Sequence, residues 1–243
     1  MKYYVAADVH GFCTEFRSAL EKAGYFSDQA QHKLVILGDL FDRGKEARAM
    51  QDFILQLLDE DAVILIRGNH EDLFTEMVTV EEGLPVRHHE SNGTYETALQ
   101  LTGFEPYRAL AEHFDFAEAA QKTPYFRRII PSTIDYCETE HYIFVHGWIP
   151  DGEDWRHAGR DAWHEARWSN GMEEVQRHRE EKTILCGHWH CSYGHAVLEN
   201  RGSEFGPDAD FSPYYAPGII ALDPCTAHSR IVNVVVIEDG EIL

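Results

Sequence analysis

Short apolar runs that end abruptly at polar residues recur along the 243-residue chain. Five of them are four or five residues long and are rich in Val, Ile and Leu: residues 3–7, 34–37, 63–66, 142–145 and 183–186. Runs that are apolar at successive positions are typical of strands buried on both faces of a sheet. We therefore predict five buried strands.

Helical patterns lie between these strands. Apolar residues from Ala47 to Leu58 recur at spacings of three and four, and a shorter stripe runs from Phe12 to Ala23. Strands that alternate with helices predict an α/β fold, in which sites lie at the carboxyl ends of the strands. The tail differs, because the apolar runs 218–222 and 231–237 flank a turn-rich segment, which predicts an antiparallel pair.

The stretch from about 75 to 135 interrupts the alternation. It carries aromatic residues on predicted helices, namely Phe104, Tyr107, Phe114 and Phe116. We interpret it as a helical cap over the strand ends. Because neither a repeat nor a Pro/Gly-rich linker marks a boundary, we expect residues 1–243 to form a single domain with this cap as an insertion.

Composition narrows the possible partners. The chain has 21 Lys and Arg against 42 Asp and Glu, so its formal net charge is −21, which opposes binding to a phosphate backbone. The apolar runs are far shorter than the ~20 residues of a membrane span. The five cysteines are scattered, without a C-x-x-C motif, which argues against a disulfide framework. We expect a cytoplasmic protein without a nucleic-acid or membrane partner.

Potential metal ligands follow every predicted strand. In chain order they are Asp8, His10, Asp39, Asn69, His146, His188 and His190. Carboxylate, amide and imidazole donors suit Mn, Fe or Zn, and the absence of thiolates argues against a closed structural zinc site. Two Asp, one Asn and four His are more donors than one ion needs, so a pair of metals that share one carboxylate is the economical arrangement.

The motifs around these ligands resemble those of the calcineurin-like metallophosphoesterases. They are, in order, Asp8-Val9-His10, Gly38-Asp39-Leu40-Phe41-Asp42-Arg43-Gly44, Gly68-Asn69-His70-Glu71, His146-Gly147 and Gly187-His188-Trp189-His190. The second and third blocks resemble the Ser/Thr phosphoprotein phosphatases and the bacterial symmetrical diadenosine tetraphosphatases. The resemblance implies a four-layer α/β/β/α sandwich with two mixed sheets.

The resemblance also implies a ligand set for two metals. Asp8, His10 and His190 would hold the first ion; Asn69, His146 and His188 would hold the second; Asp39 would bridge the two. A hydroxide held between the ions would attack phosphorus in line. Mn²⁺ is the expected metal, and the same donors would accept Fe or Zn.

Four further residues would bind the substrate or take part in proton transfer. Arg43 would bind the phosphoryl oxygens with its guanidinium fork, together with Asn69. His70 would donate a proton to the leaving alkoxide, and Asp42 would orient its imidazole. Arg167 is the candidate for a second phosphate-binding arginine, the alternative being an ordinary surface arginine.

The last motif departs from the phosphoprotein phosphatases, which usually have one histidine there, whereas His188 and His190 are both present. This weakens a strict assignment to that branch. In addition, Trp148 follows Gly147 and predicts a bulkier rim at that point.

Three functions remain open at this point. The leading hypothesis is hydrolysis of phosphomonoesters such as phosphoserine or phosphothreonine. The alternative is hydrolysis of a nucleotide pyrophosphate such as diadenosine tetraphosphate, with Trp148, Trp155 and Trp163 available to stack on adenine. A scaffold that has lost catalysis is the third, and the complete set of ligands argues against it.

Overall fold

A computed structural model describes residues 1–79, 86–177 and 180–243. Its strands are β1 Lys2–Ala6, β2 His32–Ile36, β3 Val63–Ile66, β4 Thr133–Ile134, β5 Cys137–Glu138, β6 Tyr142–Phe144, β7 Thr183–Cys186, β8 Tyr214–Ala216, β9 Ile219–Ala221 and β10 Val234–Glu238. Its helices are α1 Cys13–Lys22, α2 Ala47–Asp59, α3 Asn69–Thr79, α4 Val86–Asn92, α5 Thr94–Thr102, α6 Pro106–Ala111, α7 His113–Gln121, α8 Arg160–Ala166, α9 Gly171–Arg177, α10 Cys191–Tyr193 and α11 Thr226–Ser229. Short 3-10 or π turns occupy Tyr25–Ser27, Tyr125–Ile129, Ile130–Ser132, Trp155–His157 and Gly194–Leu198.

Two mixed sheets contain the five predicted strands. The first has the order β10-β1-β2-β3-β4, and β1 to β4 are parallel to one another. The second has the order β5-β6-β7-β9-β8, with β6, β7 and β9 parallel. Parallel neighbours place the carboxyl ends of β1, β2 and β3 at one edge, and those of β6, β7 and β9 at another.

Successive residues of these strands face different apolar layers, which explains why the strands are apolar throughout. In β1, Tyr3 and Val5 pack between the two sheets, while Tyr4 and Ala6 pack against α1 and α2. On the far side of the second sheet, α8 and α9 cover a separate apolar cluster that includes Trp163. The layers are therefore helices, sheet, sheet and helices, which confirms the four-layer α/β/β/α sandwich.

The prediction for the tail is wrong. The run 218–222 contains β9, which pairs with β7 and β8 in the second sheet. The run 231–237 overlaps β10, which pairs antiparallel with β1 in the first. The segment between them crosses from one sheet to the other. The local pattern of apolar and polar residues does not indicate which distant strand a given strand pairs with.

The predicted cap, from about 75 to 135, contains the end of α3 and the helices α4 to α7, and residues 80–85 of it lie outside the described residues. Its last part is not helical, because β4 pairs with β3 in the first sheet. Phe116 is buried there, whereas Tyr107 and Phe114 are exposed and Phe104 lies between two helices. That this segment is an insertion in a single domain stays a prediction. In the described part of the chain, no helix combines the length and the apolar character needed to cross a membrane. All five cysteines are free.

Candidate metal and phosphate site

The loops after β1, β2 and β7 carry site residues in an uncommon backbone conformation. Six residues have a positive φ, namely Asp8, His10, Asp39, Asp42, Arg43 and His188. Non-glycine residues in this region cost about 1–3 kcal/mol each and persist only where the surrounding structure enforces them. The tight turns aim successive side chains into one space instead of letting them alternate as they would in a strand.

One group of donors converges on the amide of Asn69, at the first position of α3. The Asn69 Oδ1 lies 2.8 Å from His146 Nε2 and 3.0 Å from His188 Nδ1. The same His146 nitrogen is 3.4 Å from Asp39 Oδ1. The other nitrogen of His146 lies 2.7 Å from the Leu37 carbonyl oxygen, which fixes the ring. The sequence analysis assigned these side chains to the second metal site and its bridging ligand, and their metal-binding role stays a prediction.

The other carboxylate oxygen of Asp39 faces a second group. Asp39 Oδ2 lies 3.7 Å from His10 Nε2 and 3.7 Å from His70 Nε2. The His10 Nδ1 lies 2.9 Å from the Phe41 carbonyl oxygen, so its Nε2 points into the site. Burial by itself raises the pKa of Asp39, but the surrounding imidazoles, led by His146, lower it below the usual range. Asp39 thus lies between the two groups, where a bridging ligand is expected.

The first predicted site is less complete. Ligand atoms of His10, Asp39 and His70 lie within 4.8 Å of one another, and those of Asp39, His146 and His188 form a matching cluster. His190 belongs to neither cluster, because its Nε2 lies 2.8 Å from Glu204 Oε1 and its ring packs against Phe205. The metal-binding role of His190 stays a prediction.

Asp8 is buried beside a second carboxylate that the sequence analysis did not identify. Both oxygens of Asp8 accept the backbone N–H of His188, at 3.2 and 3.0 Å. Burial, reinforced by the charge of Asp223, raises the pKa of Asp8 well above its usual value. Burial also raises the pKa of Asp223 to about 6. Asp223 follows β9 in the same way as the other site residues follow their strands. The sequence analysis did not identify it because it placed the segment after this run in a turn between two antiparallel strands.

The predicted proton donor has a partner on each ring nitrogen. His70 Nδ1 lies 2.6 Å from Asp42 Oδ2, and its Nε2 lies 3.2 Å from Arg43 Nη2. Arg43 Nη1 is 2.9 Å from His10 Nε2, so the exposed guanidinium spans both rings. Burial lowers the pKa of His70, but the carboxylates of Asp39 and Asp42 outweigh it and raise the pKa above its usual value.

Glu71 and two glycines hold the loops together. The Glu71 carboxylate accepts the backbone N–H groups of Gly68, Asp39 and Leu40 at 2.8, 3.1 and 3.0 Å. A Cβ at Gly68 would lie 2.2 Å from Asp39 Oδ1, and one at Gly187 would lie 2.1 Å from Asp8 Oδ2. These glycines make room for the carboxylates of Asp39 and Asp8, which any other residue at these positions would displace.

Replacing Glu71 with Gln should destabilise the fold more than a typical polar substitution. The amide offers one acceptor where the carboxylate now serves three N–H groups and the Tyr125 hydroxyl at 3.2 Å. We expect a loss of about 2–3 kcal/mol in the free energy of unfolding, measured by urea denaturation of chelator-treated protein. Glu96→Gln, on the cap helix α5, is the matched control. Equal unfolding midpoints for the two variants would contradict this role.

Arg167 is not a surface arginine. Its side chain is almost fully buried, with Nη1 2.8 Å from Asp72 Oδ2 and Nη2 paired with Asp135. Its Nε has no hydrogen-bond partner among the described residues. Arg167 precedes Trp168, whose ring contacts that of His188, so the ion pairs lie near the second group of predicted ligands. Phosphate binding by Arg167 stays a prediction.

The three tryptophans proposed to stack on adenine do not line the site. Trp148, Trp155 and Trp163 are buried in the apolar cluster beneath α8 and α9, so the predicted bulky rim at Trp148 is also wrong. The exposed aromatic side chains near the ligands are Trp168, whose ring centroid is 5.6 Å from that of His188, and Phe205, 4.8 Å from His190. The sequence of this segment does not indicate which of its tryptophans are buried and which are exposed.

The donor set fits divalent metal ions. Carboxylate and amide oxygens combine with imidazole nitrogens, and thiolates contribute nothing to the clusters. The buried carboxylates of Asp8 and Asp223 lie near each other, and a nearby cation would relieve the repulsion that raises the pKa of Asp8.

The sequence of residues 1–210 matches the family model for the calcineurin-like phosphoesterases. A bis(5′-nucleosyl)-tetraphosphatase (asymmetrical) of Geobacillus thermodenitrificans is 36% identical over 72 residues, which cover 27% of this chain and 29% of that protein. The aligned part is thus less than a third of this relative.

Solved structures share the fold over almost the whole chain. A protein described as a candidate diadenosine tetraphosphatase superposes with a TM-score of 0.59 at 14% identity, covering 100% of this chain and 91% of its own. A cold-active protein-tyrosine phosphatase of a psychrophilic Shewanella species gives 0.58 at 17% identity, covering 99% and 76%. At these identities the similarity shows the fold alone.

Proposed function

Since the chain belongs to the calcineurin-like phosphoesterase family, we propose that it is a metal-dependent hydrolase of phosphate esters that acts on phosphomonoesters. The observation that carries the proposal is the position of Asp39, whose two oxygens face two separate groups of imidazoles. A carboxylate held in this way is suited to share two cations.

Divalent ions, when bound, would supply Lewis-acid catalysis of attack by water on phosphorus. On the first side, Asp8, His10 and His190 would serve as ligands together with Asp39. On the second side, the ligands would be Asn69, His146 and His188. We propose Mn²⁺ as the metal, with Fe and Zn as the other ions that these donors accept.

The remaining side chains bind the substrate and move a proton. The exposed guanidinium of Arg43 contacts the rings of His10 and His70 at the opening of the site. It would turn its two Nη groups to the phosphoryl oxygens, and Asn69 and Arg167 would contribute further contacts. His70, with Nδ1 held by Asp42, presents Nε2 towards Asp39 and the opening. A proton on that Nε2 would pass to the leaving oxygen as the P–O bond breaks.

The test is a parallel assay of chelator-treated protein reloaded with Mn²⁺. p-Nitrophenyl phosphate, a phosphothreonine peptide and diadenosine tetraphosphate are compared by kcat/KM. We expect the protein to hydrolyse both monoesters and to have the highest kcat/KM for the peptide. Preference for the dinucleotide would replace the proposed substrate class. Failure of the fully metallated protein to hydrolyse any of the three would favour the scaffold hypothesis.

Diadenosine tetraphosphate is the second candidate substrate, and the exposed ring of Trp168 beside His188 favours it. Stacking of a nucleobase on an aromatic ring contributes about 1–3 kcal/mol. If this substrate is correct, Trp168→Ala should raise KM for the dinucleotide by about 10-fold or more and leave KM for p-nitrophenyl phosphate unchanged. Phe26→Ala, which removes an exposed ring at the far end of α1, is the control. An equal change in KM for both substrates would contradict base stacking.

The proposal keeps a single catalytic domain with the cap as an insertion, and a cytoplasmic location. The five free cysteines support a reducing compartment. The net charge of −21 supports a substrate that is a phosphoester group and not a nucleic-acid backbone.

A further inference from the structure

The cap helix α5 contacts the acid side of the site directly. Thr94, its first residue, is fully buried and donates a hydrogen bond from Oγ1 to Asp42 Oδ2 at 2.6 Å. This is the same oxygen that lies 2.6 Å from His70 Nδ1. One carboxylate oxygen therefore serves both the proton donor and the cap.

Among the described residues, the second oxygen of Asp42 makes no hydrogen bond that would fix the orientation of the carboxylate. Asp42 Oδ1 is buried and has no hydrogen-bond partner among the described residues. The contacts of Oδ2 with Thr94 and His70 are therefore what the structure offers to set the rotation of this carboxylate. Without the Thr94 hydroxyl, His70 alone would hold it.

Other residues of α5 keep Thr94 in place. Thr97 Oγ1 accepts the backbone N–H of Asp42 at 3.0 Å, and Gln100 Nε2 donates to the Gly44 carbonyl oxygen at 3.0 Å. A Cβ at Gly93, whose φ is +85°, would lie 2.3 Å from the Arg43 nitrogen, so the helix starts in direct contact with this loop. Thr94, Thr97 and Gln100 are three residues apart and share one face of the helix.

We propose that Thr94 is a positioning residue for proton transfer, which acts through Asp42 to aim Nε2 of His70 at the leaving oxygen. This inference rests on the proposed function, since it assumes that His70 protonates the leaving group. The hydroxyl of Thr94 never touches the substrate in this scheme. It gives the cap a part in the chemistry as well as in covering the strand ends.

The experiment compares two substrates that differ in their need for an acid. The alkoxide of a phosphothreonine peptide must be protonated as it leaves, whereas p-nitrophenolate leaves readily as an anion. In Mn²⁺-loaded Thr94→Val we expect kcat for the peptide to fall about 10-fold, kcat for p-nitrophenyl phosphate to change less than about twofold, and KM for both to stay constant. Thr94→Ser should restore the wild-type ratio.

Thr102→Val is the matched control, because Thr102 lies on the same helix and donates to the Ala98 carbonyl oxygen, away from Asp42. An unchanged ratio of the two kcat values in a folded Thr94→Val would overturn the inference while leaving the proposed function intact. Inactivity of the wild type on both substrates would instead remove the proposed function. Should Thr94→Val not fold, Thr94→Ser and Thr94→Ala form the deciding pair, since they differ only in the hydroxyl oxygen.

Discussion

Asp39→Asn should abolish most of the turnover and lower the metal content while the fold survives. The amide carries no charge, so both groups of imidazoles lose the anion that they share. We expect kcat/KM to fall by well over ~100-fold, since loss of a partner that merely supports a ligand already costs 10–100-fold. Metal bound per chain, measured by mass spectrometry after gel filtration, should fall in parallel.

Folding should be unaffected for two local reasons. Asn is among the residues that best tolerate a left-handed backbone, and Asp39 has a φ of +54°. Its Oδ1 can still accept the backbone N–H of His70, now at 3.1 Å. Asp52→Asn, on the exposed face of α2, makes the same chemical change away from the site. Wild-type metal content in Asp39→Asn would contradict the proposal that Asp39 bridges two metal ions.

His70→Asn should lower turnover without removing the metals. A positioned general acid contributes about 10²–10⁴-fold, and we expect kcat for the phosphothreonine peptide to fall within that range. Asn69, His146 and His188 keep their mutual contacts, because His70 takes no part in them. Metal content should therefore equal that of the wild type.

His157→Asn is the control for the loss of an imidazole, since His157 is exposed and is paired with the nearby Asp154, away from the site. Near-wild-type turnover of the metal-loaded His70→Asn protein would remove His70 as the acid. A loss of metal instead would identify His70 as a ligand, consistent with its place in the cluster of His10 and Asp39.

The strands and the positions of most site residues could be predicted from the sequence because both follow from local pattern. A run of apolar residues that stops at Asp39 or His146 shows where a strand ends, and parallel packing brings those ends together. The side chains of the predicted ligands Asp39, Asn69, His146 and His188 accordingly lie together.

Several features that the sequence did not indicate involve partners that are distant along the chain. Asp223 escaped notice because the partner of β9 is β7, not β10. The environment of Arg167 depends on Asp72 and Asp135, which lie 95 and 32 residues away. The contact between Thr94 and Asp42 spans 52 residues and has no motif. Non-local pairs of this kind are set by the completed fold.

The left-handed backbone at His10 and His188 has a consequence for the choice of variants. Glycine at either position would relieve unfavourable backbone geometry, by up to about 1 kcal/mol. It would also remove the imidazole, with the contact of His10 with the Phe41 carbonyl oxygen or that of His188 with Asn69. At the buried His10 the cavity left behind would cost more than the backbone gains. Asparagine, which tolerates the left-handed backbone and keeps a polar side chain, disturbs the fold less than glycine at these two positions.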